Sequence, residues 1–165
     1  MNVARRPKHR RTSTGPRRRE LLQALWIFQR ATPYQLWKLT RPDNKHDRLT
    51  RDNLLDLEDH PLVRIESVQE DKRQVWVLTK RGRGEARQLL EPKGIRVSVL
   101  RKQEYAPDTG ELLGTGYDDH AAAVTLTAAE LHRAGIGHRL GFQTEIGHRL
   151  RTGYVQRADL VVREP

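Results

Sequence analysis

Apolar residues recur at helical spacing up to residue 59 and at near-alternating spacing from residue 62, and that change of period divides the first 91 residues into elements. Leu21, Leu22, Leu25, Trp26 and Phe28 make the broad apolar face of a first helix over residues 18–30. Thr32 followed by Pro33 is a helix start, since a hydroxyl can accept from the free N–H groups and proline suits the first turn. The second helix carries Leu36, Trp37 and Leu39. It ends before Arg41-Pro42, because the residue ahead of a proline is pushed out of the α region. Asp43 or Asn44 can cap a third helix extending to residue 59, with Leu49, Thr50, Leu54 and Leu57 on one side and Asn44, Lys45, Arg48, Arg51 and Asp52 on the other. Val63, Ile65 and Val68, then Val75, Val77 and Leu78, form two strands around the polar turn Glu70-Asp71-Lys72-Arg73. Thr79 caps a closing helix over residues 80–90. It packs Ala86, Leu89 and Leu90, presents Lys80, Arg81, Arg83 and Arg87, and stops at Pro92 and Gly94.

Three helices followed by a two-stranded ribbon is the order of a winged helix-turn-helix. Gln35-Leu36, Leu54-Leu55-Asp56-Leu57 ahead of Leu62-Val63, and Val77-Leu78-Thr79-Lys80-Arg81-Gly82-Arg83 resemble the winged-helix pattern common to many bacterial DNA-binding proteins. The resemblance spans residues 18–91 and implies a fold and DNA binding rather than a biological role. A recognition helix sets its N-terminal residues at base edges in the major groove, where Asn suits adenine and Arg or Lys suits guanine. That makes Asn44, Lys45, Arg48 and Arg51 the candidate readers, with Lys72 and Arg73 reaching phosphate or the minor groove from the wing tip. A merely solvated helix face has the same composition, and Asp52 and Asp56 would repel phosphate if they faced it.

Charge sharpens this picture. The formal net charge is +10, but residues 1–19 hold Arg5, Arg6, Lys8, Arg10, Arg11, Arg17, Arg18 and Arg19 without an acid. They carry +8, and the other 23 basic and 21 acidic residues leave +2. With Pro7, Ser13, Gly15, Pro16 and no apolar run, residues 1–17 cannot offset the entropy of ordering and are expected to be a disordered basic arm. Its natural partner is a polyanion, because each cation that neutralises a phosphate releases counterions, which makes binding steeply salt-dependent. A solubilising tail without specific contacts is the plainer alternative. Few aromatic residues are free to stack on unpaired bases, which favours duplex DNA over single-stranded nucleic acid or RNA.

The chain has no cysteine, which excludes disulfides and thiolate metal sites and fits a reducing compartment. No apolar run approaches a membrane span and no signal-peptide core follows the basic start, so the expected setting is cytoplasmic and DNA-associated, without a membrane partner.

Past Pro92, residues 95–100 alternate as a short strand and Pro107-Asp108-Thr109-Gly110 is a turn. With Asp118 or Asp119 as cap, a helix runs through His120, Ala121, Ala122, Ala123, Val124, Leu126, Ala128 and Leu131 to Arg133 and stops at Gly135. Ile136-Gly137-His138-Arg139-Leu140 recurs as Ile146-Gly147-His148-Arg149-Leu150, ten residues on, which is too little for a solenoid. β segments are expected around Phe142 and Ile146, then a turn at Arg151-Thr152-Gly153 and a strand over residues 154–162. His132, His138 and His148 lie close together but lack cysteine partners, an HExxH motif or i,i+4 spacing, which disfavours a metal site.

His120-Ala121-Ala122-Ala123-Val124 followed by Leu131, then Glu145, then Arg157-Ala158-Asp159-Leu160-Val161, resembles the second domain of the replication-relaxation proteins of actinobacterial plasmids and integrated elements. That resemblance implies a winged helix ahead of an α/β domain similar to the PD-(D/E)xK nucleases. It also implies a role in plasmid replication, transfer or DNA relaxation, with other replication or transfer proteins as partners. It puts Asp159 in the place of the first metal-binding carboxylate, with Glu130 or Glu145 as a more distant helper, and such carboxylates hold Mg²⁺. No Glu-x-Lys pair follows Asp159, and Arg163-Glu164 stands too close to substitute, so the implied site is incomplete and Asp159 fits an ordinary strand-end charge.

The expectation is therefore an α+β chain, a winged helix-turn-helix followed by a small helix-plus-β-hairpin domain, divided into residues 1–17, 18–91 and 95–165. It binds double-stranded DNA and needs no cofactor. The alternatives are a winged-helix transcriptional regulator acting as a homodimer and a Mg²⁺-dependent DNA nuclease.

Overall fold

One helix, α1 (Gly15–Phe28), forms the axis of the fold, and all eight residues from Leu21 to Phe28, Gln23 included, are buried. In this computed structural model the described residues are 15–94, 103–114, 117–137, 140–149, 151–153 and 155–162. They form an α+β chain in which α1 is followed by α2 (Pro33–Thr40), α3 (Arg48–Asp59), β1 (Val63–Val68), β2 (Gln74–Leu78), α4 (Lys80–Leu90), α5 (Asp119–Arg133), β3 (Phe142–Arg149) and β4 (Val155–Val162). The face expected of α1 is buried all round because α2, α3, α4, β2 and β3 all pack on it. The helix starts three residues before the expected position. It ends two residues early because Gln29 adopts a left-handed φ of 67°.

α2 starts as its Thr-Pro signal requires. The Thr32 hydroxyl accepts from the Gln35 backbone N–H (3.3 Å) and the Gln35 side chain accepts from the Thr32 N–H (2.9 Å), a reciprocal capping box. α3 departs from expectation: it begins at Arg48, with Asp47 rather than Asp43 or Asn44 at the cap position. The indole N–H of Trp37 donates to the Asn44 carbonyl at 3.1 Å, and Asn44 N–H donates to Arg41 O at 3.1 Å, so residues 41–47 fold as a turn. The first carbonyl to serve α3 is that of Asp47, which accepts from Arg51 N–H at 2.9 Å.

β1 and β2 pair antiparallel, Val63 opposite Leu78 and Val68 opposite Gln74, with a register shift between Ile65 and Ser67. Gln69 N–H donates to Arg73 O and Lys72 N–H to Gln69 O, both at 2.8 Å, and Lys72 takes a φ of 65° to close the tip. A further rung joins β2 to the α1–α2 connection, because Ala31 and Trp76 exchange both backbone hydrogen bonds, at 2.9 and 3.2 Å. Val75 through Leu78 are all buried rather than alternating, because residues 103–114 add cover beyond that of the helices. Gln103 donates to the Leu25 and Trp26 carbonyls at 3.2 Å each, and the Tyr105 hydroxyl reaches the Leu78 carbonyl at 3.2 Å.

The start of α4 is locked to the hairpin. Thr79 Oγ1 accepts from Gly82 N–H (3.0 Å) and donates to Pro61 O (2.7 Å), and Thr79 N–H donates to Leu62 O at 3.0 Å. A Cβ on residue 82 would fall 1.8 Å from that same Leu62 oxygen, so only glycine fits.

In the second half, Asp118 caps α5 by accepting from Ala121 N–H at 2.7 Å, and Gly135 turns the chain with a φ of 84°. α5 lies against α2 and buries Thr125, Ala128 and Ala129. β3 and β4 pair antiparallel from Phe142 opposite Val162 to Arg149 opposite Val155. Phe142 stacks at a tilt on Phe28, 6.4 Å between centroids, and Thr144 Oγ1 donates to Ile27 O at 2.7 Å. Ala128, Ala129, Leu140 and Phe142 thereby join the same apolar cluster as α1–α4. The five-residue repeat takes two conformations. Its described first-copy residues lie in the loop after α5, where Gly137 (φ 74°) faces the Phe142 ring, while residues 146–149 belong to β3. The expected strand at 95–100 and residues 1–14 of the arm lie outside the described residues. Among the described residues no helix is long and apolar enough to cross a membrane.

Candidate nucleic-acid interface

α3 turns Thr50, Asn53, Leu54, Asp56 and Leu57 inward and leaves Arg48, Arg51 and Asp52 exposed. Asp56 is buried, with the His60 imidazole 3.8 Å away, so it does not oppose an anion on the outer face. Lys45 and His46 are exposed in the turn ahead of the helix, and Asn44 is half-buried with its carbonyl held by Trp37. Arg51 pairs with Asp47 at 3.3 Å, a bond of small value at a wet surface. Lys45 and Arg48 have no ion-pair partner among the described residues. Asp43, Asp47 and Asp52 keep the patch close to neutral, so its chemistry suits reading donors and acceptors better than long-range attraction.

At the hairpin tip, Arg73 is turned back on its own strand. Its backbone N–H donates to Asp71 Oδ1 at 3.1 Å and its guanidinium to Asp71 Oδ2. The Arg73 backbone N–H, aided by its guanidinium, holds the Asp71 carboxyl below the usual range against an opposing desolvation. Lys72 has no ion-pair partner among the described residues.

The tail cations divide into two groups. Arg5, Arg6, Lys8, Arg10 and Arg11 lie outside the described residues, whereas Arg17, Arg18 and Arg19 belong to the first turns of α1. Arg18 is joined to Glu85 of α4 at 3.0 Å. Glu20 pairs with Arg41 at 3.1 Å. Burial nonetheless raises the Glu20 carboxyl above its ordinary value, although Arg41, Arg19, His132 and Arg17 all favour its charged form. On α4, Arg83 donates to Gln103 O at 2.6 Å and lies over Trp26, and Arg87 pairs with Glu91 at 3.0 Å. Arg18 and Arg83 are thus engaged in holding elements together, while Arg87 pairs locally at the exposed end of α4.

One group escaped the sequence pattern. Tyr34, Trp37 and Lys38 share a side of α2 at i, i+3 and i+4 spacing. Lys38 Nζ lies 3.9 Å from the Trp37 ring centroid and 5.6 Å from that of Tyr34, and the two rings meet edge to face at 5.7 Å. The sequence places Trp37 on α2 with Leu36 and Leu39, and periodicity cannot show that its indole N–H is drawn to a turn seven residues on.

The carboxylates tied to nuclease chemistry do not all gather. Asp159 is 67% exposed with His120 Nε2 at 3.5 Å, an ion pair when the imidazole is protonated. Glu130 pairs with Arg133 at 4.0 Å and lies ten residues along α5 from His120, about 15 Å of helix rise. Glu145 falls between Thr144 and Ile146, which face Leu160 and Ala158, so its strand position is opposite Asp159; its side chain lies outside the described residues. Among the described residues no group of three His, Asp or Glu side chains could hold a metal ion. Compared with protein-family models and with curated proteins, the chain matches none.

Proposed function

We propose that this chain is a winged-helix protein that binds duplex DNA, with α3 in the major groove and the β1–β2 tip beside it. The observation that carries the reading is the element order together with the Ala31–Trp76 rung: three helices packed on one core, a hairpin tied back to the α1–α2 connection, and an outer side of α3 whose cations the core does not use. Lys45, Arg48 and Arg51 read base edges, Asn44 supports them from the preceding turn, and Lys72 contacts phosphate with Arg73 held beside it. Arg5, Arg6, Lys8, Arg10 and Arg11 add sequence-independent affinity, while Arg17 and Arg19 extend that charge onto α1. The resemblance to replication-relaxation proteins supports a task in the replication, transfer or relaxation of a plasmid or other mobile element, alongside other proteins of that process. The site favours binding over hydrolysis, since Asp159 and Glu130 stand apart.

The test is a selection for bound sequences from random duplexes, repeated with Arg48→Ala/Arg51→Ala. The wild type should enrich a motif, and the double variant should lose discrimination by about 1–3 kcal/mol per contacted base pair. A wild type that enriches nothing and binds without salt dependence would refute the proposal.

A further inference from the structure

We infer that α2 carries a backbone-phosphate clamp, made by Lys38 and the Tyr34 hydroxyl on a Trp37 support, that sets the register of α3 on DNA; this rests on the duplex-binding reading above. Tyr34 is 47% exposed on the outer side of an otherwise well-packed helix. An exposed Tyr34 ring and a half-buried Trp37 ring beside a cation admit two occupants, a stacked base or an anion, and the geometry decides between them. The Trp37 face is covered by the Lys38 ammonium at 3.9 Å, and the Tyr34 and Trp37 rings are set nearly perpendicular, at 86°. No broad parallel ring face is offered to a base. What projects instead is an ammonium with donors to spare and a phenol O–H, neither with a hydrogen-bond or ion-pair partner among the described residues. Holding a lysine against an indole restricts its flexible stem without neutralising its charge, which lowers the entropy lost when it grips an anion.

Trp37 gives the contact its reach. Its indole N–H holds the Asn44 carbonyl at 3.1 Å, so the ring that seats Lys38 also fixes the turn carrying Lys45, one residue on, and Arg48 at the start of α3. A phosphate gripped at Lys38 therefore stands in a fixed relation to the residues proposed to read bases. In helix-turn-helix docking the helix before the recognition helix crosses the phosphate backbone, which is where α2 lies relative to α3.

The test is a duplex titration from 50 to 200 mM salt with the full chain, Lys38→Gln, Lys38→Arg and Arg48→Gln, each checked for an unchanged melting temperature. Losing one phosphate contact lowers the slope of log affinity on log salt by about 0.9, so Lys38→Gln should lose about threefold less affinity over that range than wild type. Its weakening should be alike for all sequences, Lys38→Arg should restore the slope, and Arg48→Gln should weaken the preferred sequence most. A Lys38→Gln slope equal to wild type, with Arg48→Gln still impaired, overturns the clamp and leaves duplex binding standing. A wild type that binds no duplex overturns both, and a loss confined to overhang-bearing DNA shows base stacking in place of the clamp.

Discussion

At the scale of single residues, Gly82 shows how a short motif acquires a physical cause. The Leu78-Thr79-Lys80-Arg81-Gly82 pattern stands out in the sequence, but its reason lies in Leu62, whose carbonyl accepts from Thr79 N–H and occupies the space a Cβ on residue 82 would need. Gly82→Ala forces backbone against backbone, which a rotamer change cannot relieve, and should cost about 3 kcal/mol or more in urea unfolding. Gly84, two positions on, has nothing within 4 Å of its Cβ site, so Gly84→Ala should be neutral or stabilising. Equal losses at both positions would mean that the close approach does not set the requirement. Glu20 supplies a pH signature. Its folded carboxyl titrates above 4.5 because it is half-buried, so the folded chain holds that proton more tightly than the unfolded chain does. This contribution is complete below the ordinary value and is lost as pH rises through the folded one. Glu20→Gln should therefore gain on wild type in urea midpoint as pH rises from 4 toward 7, and parallel profiles would contradict the account.

At the scale of elements, local chemistry made some boundaries legible and tertiary partners moved the others. Thr32-Pro33, Thr79 and Asp118 mark helix starts that the structure keeps, because a cap is satisfied within a few residues and needs no distant partner. The start of α3 depended instead on Trp37, whose N–H captured a carbonyl that a longer helix would have used, and the cost was hidden from helical periodicity. The unbroken apolar run Val75-Trp76-Val77-Leu78 was the available sign that β2 is covered on both sides, since a half-buried strand alternates. The repeat at residues 136 and 146 makes the complementary point. The described residues of the two copies, 136, 137 and 140 against 146–149, lie in a loop and in a strand because Gly135 and Gly137 follow a helix end in one case, while β4 lies alongside in the other. Of the candidate interface, the exposed cations of α3 were legible as a polar stripe. The pairing of Arg18 with Glu85 and the seating of Lys38 on Trp37 were not, since both need the fold to bring side chains together.

At the scale of the whole molecule, packing and charge are distributed differently. Apolar contacts join Leu21–Phe28 to Phe142 and Ala128 in one cluster. Five of the cations, Arg5, Arg6, Lys8, Arg10 and Arg11, stand ahead of α1, and the outer side of α3 is nearly balanced by Asp43, Asp47 and Asp52. Stability and electrostatic affinity should therefore be separable. A chain lacking residues 1–14 keeps α1 from Gly15 and every residue of that cluster, so its melting temperature should match the full chain. If all five cations neutralise phosphates, the salt slope should fall by about 4.5, and partial engagement gives a proportionate share. Discrimination between sequences should survive the deletion, because phosphate contacts carry no base information and α3 is untouched. The result to set against this is a shortened chain with an unchanged slope and lost discrimination. That would move base reading into the arm and leave the polar side of α3 as a solvated face.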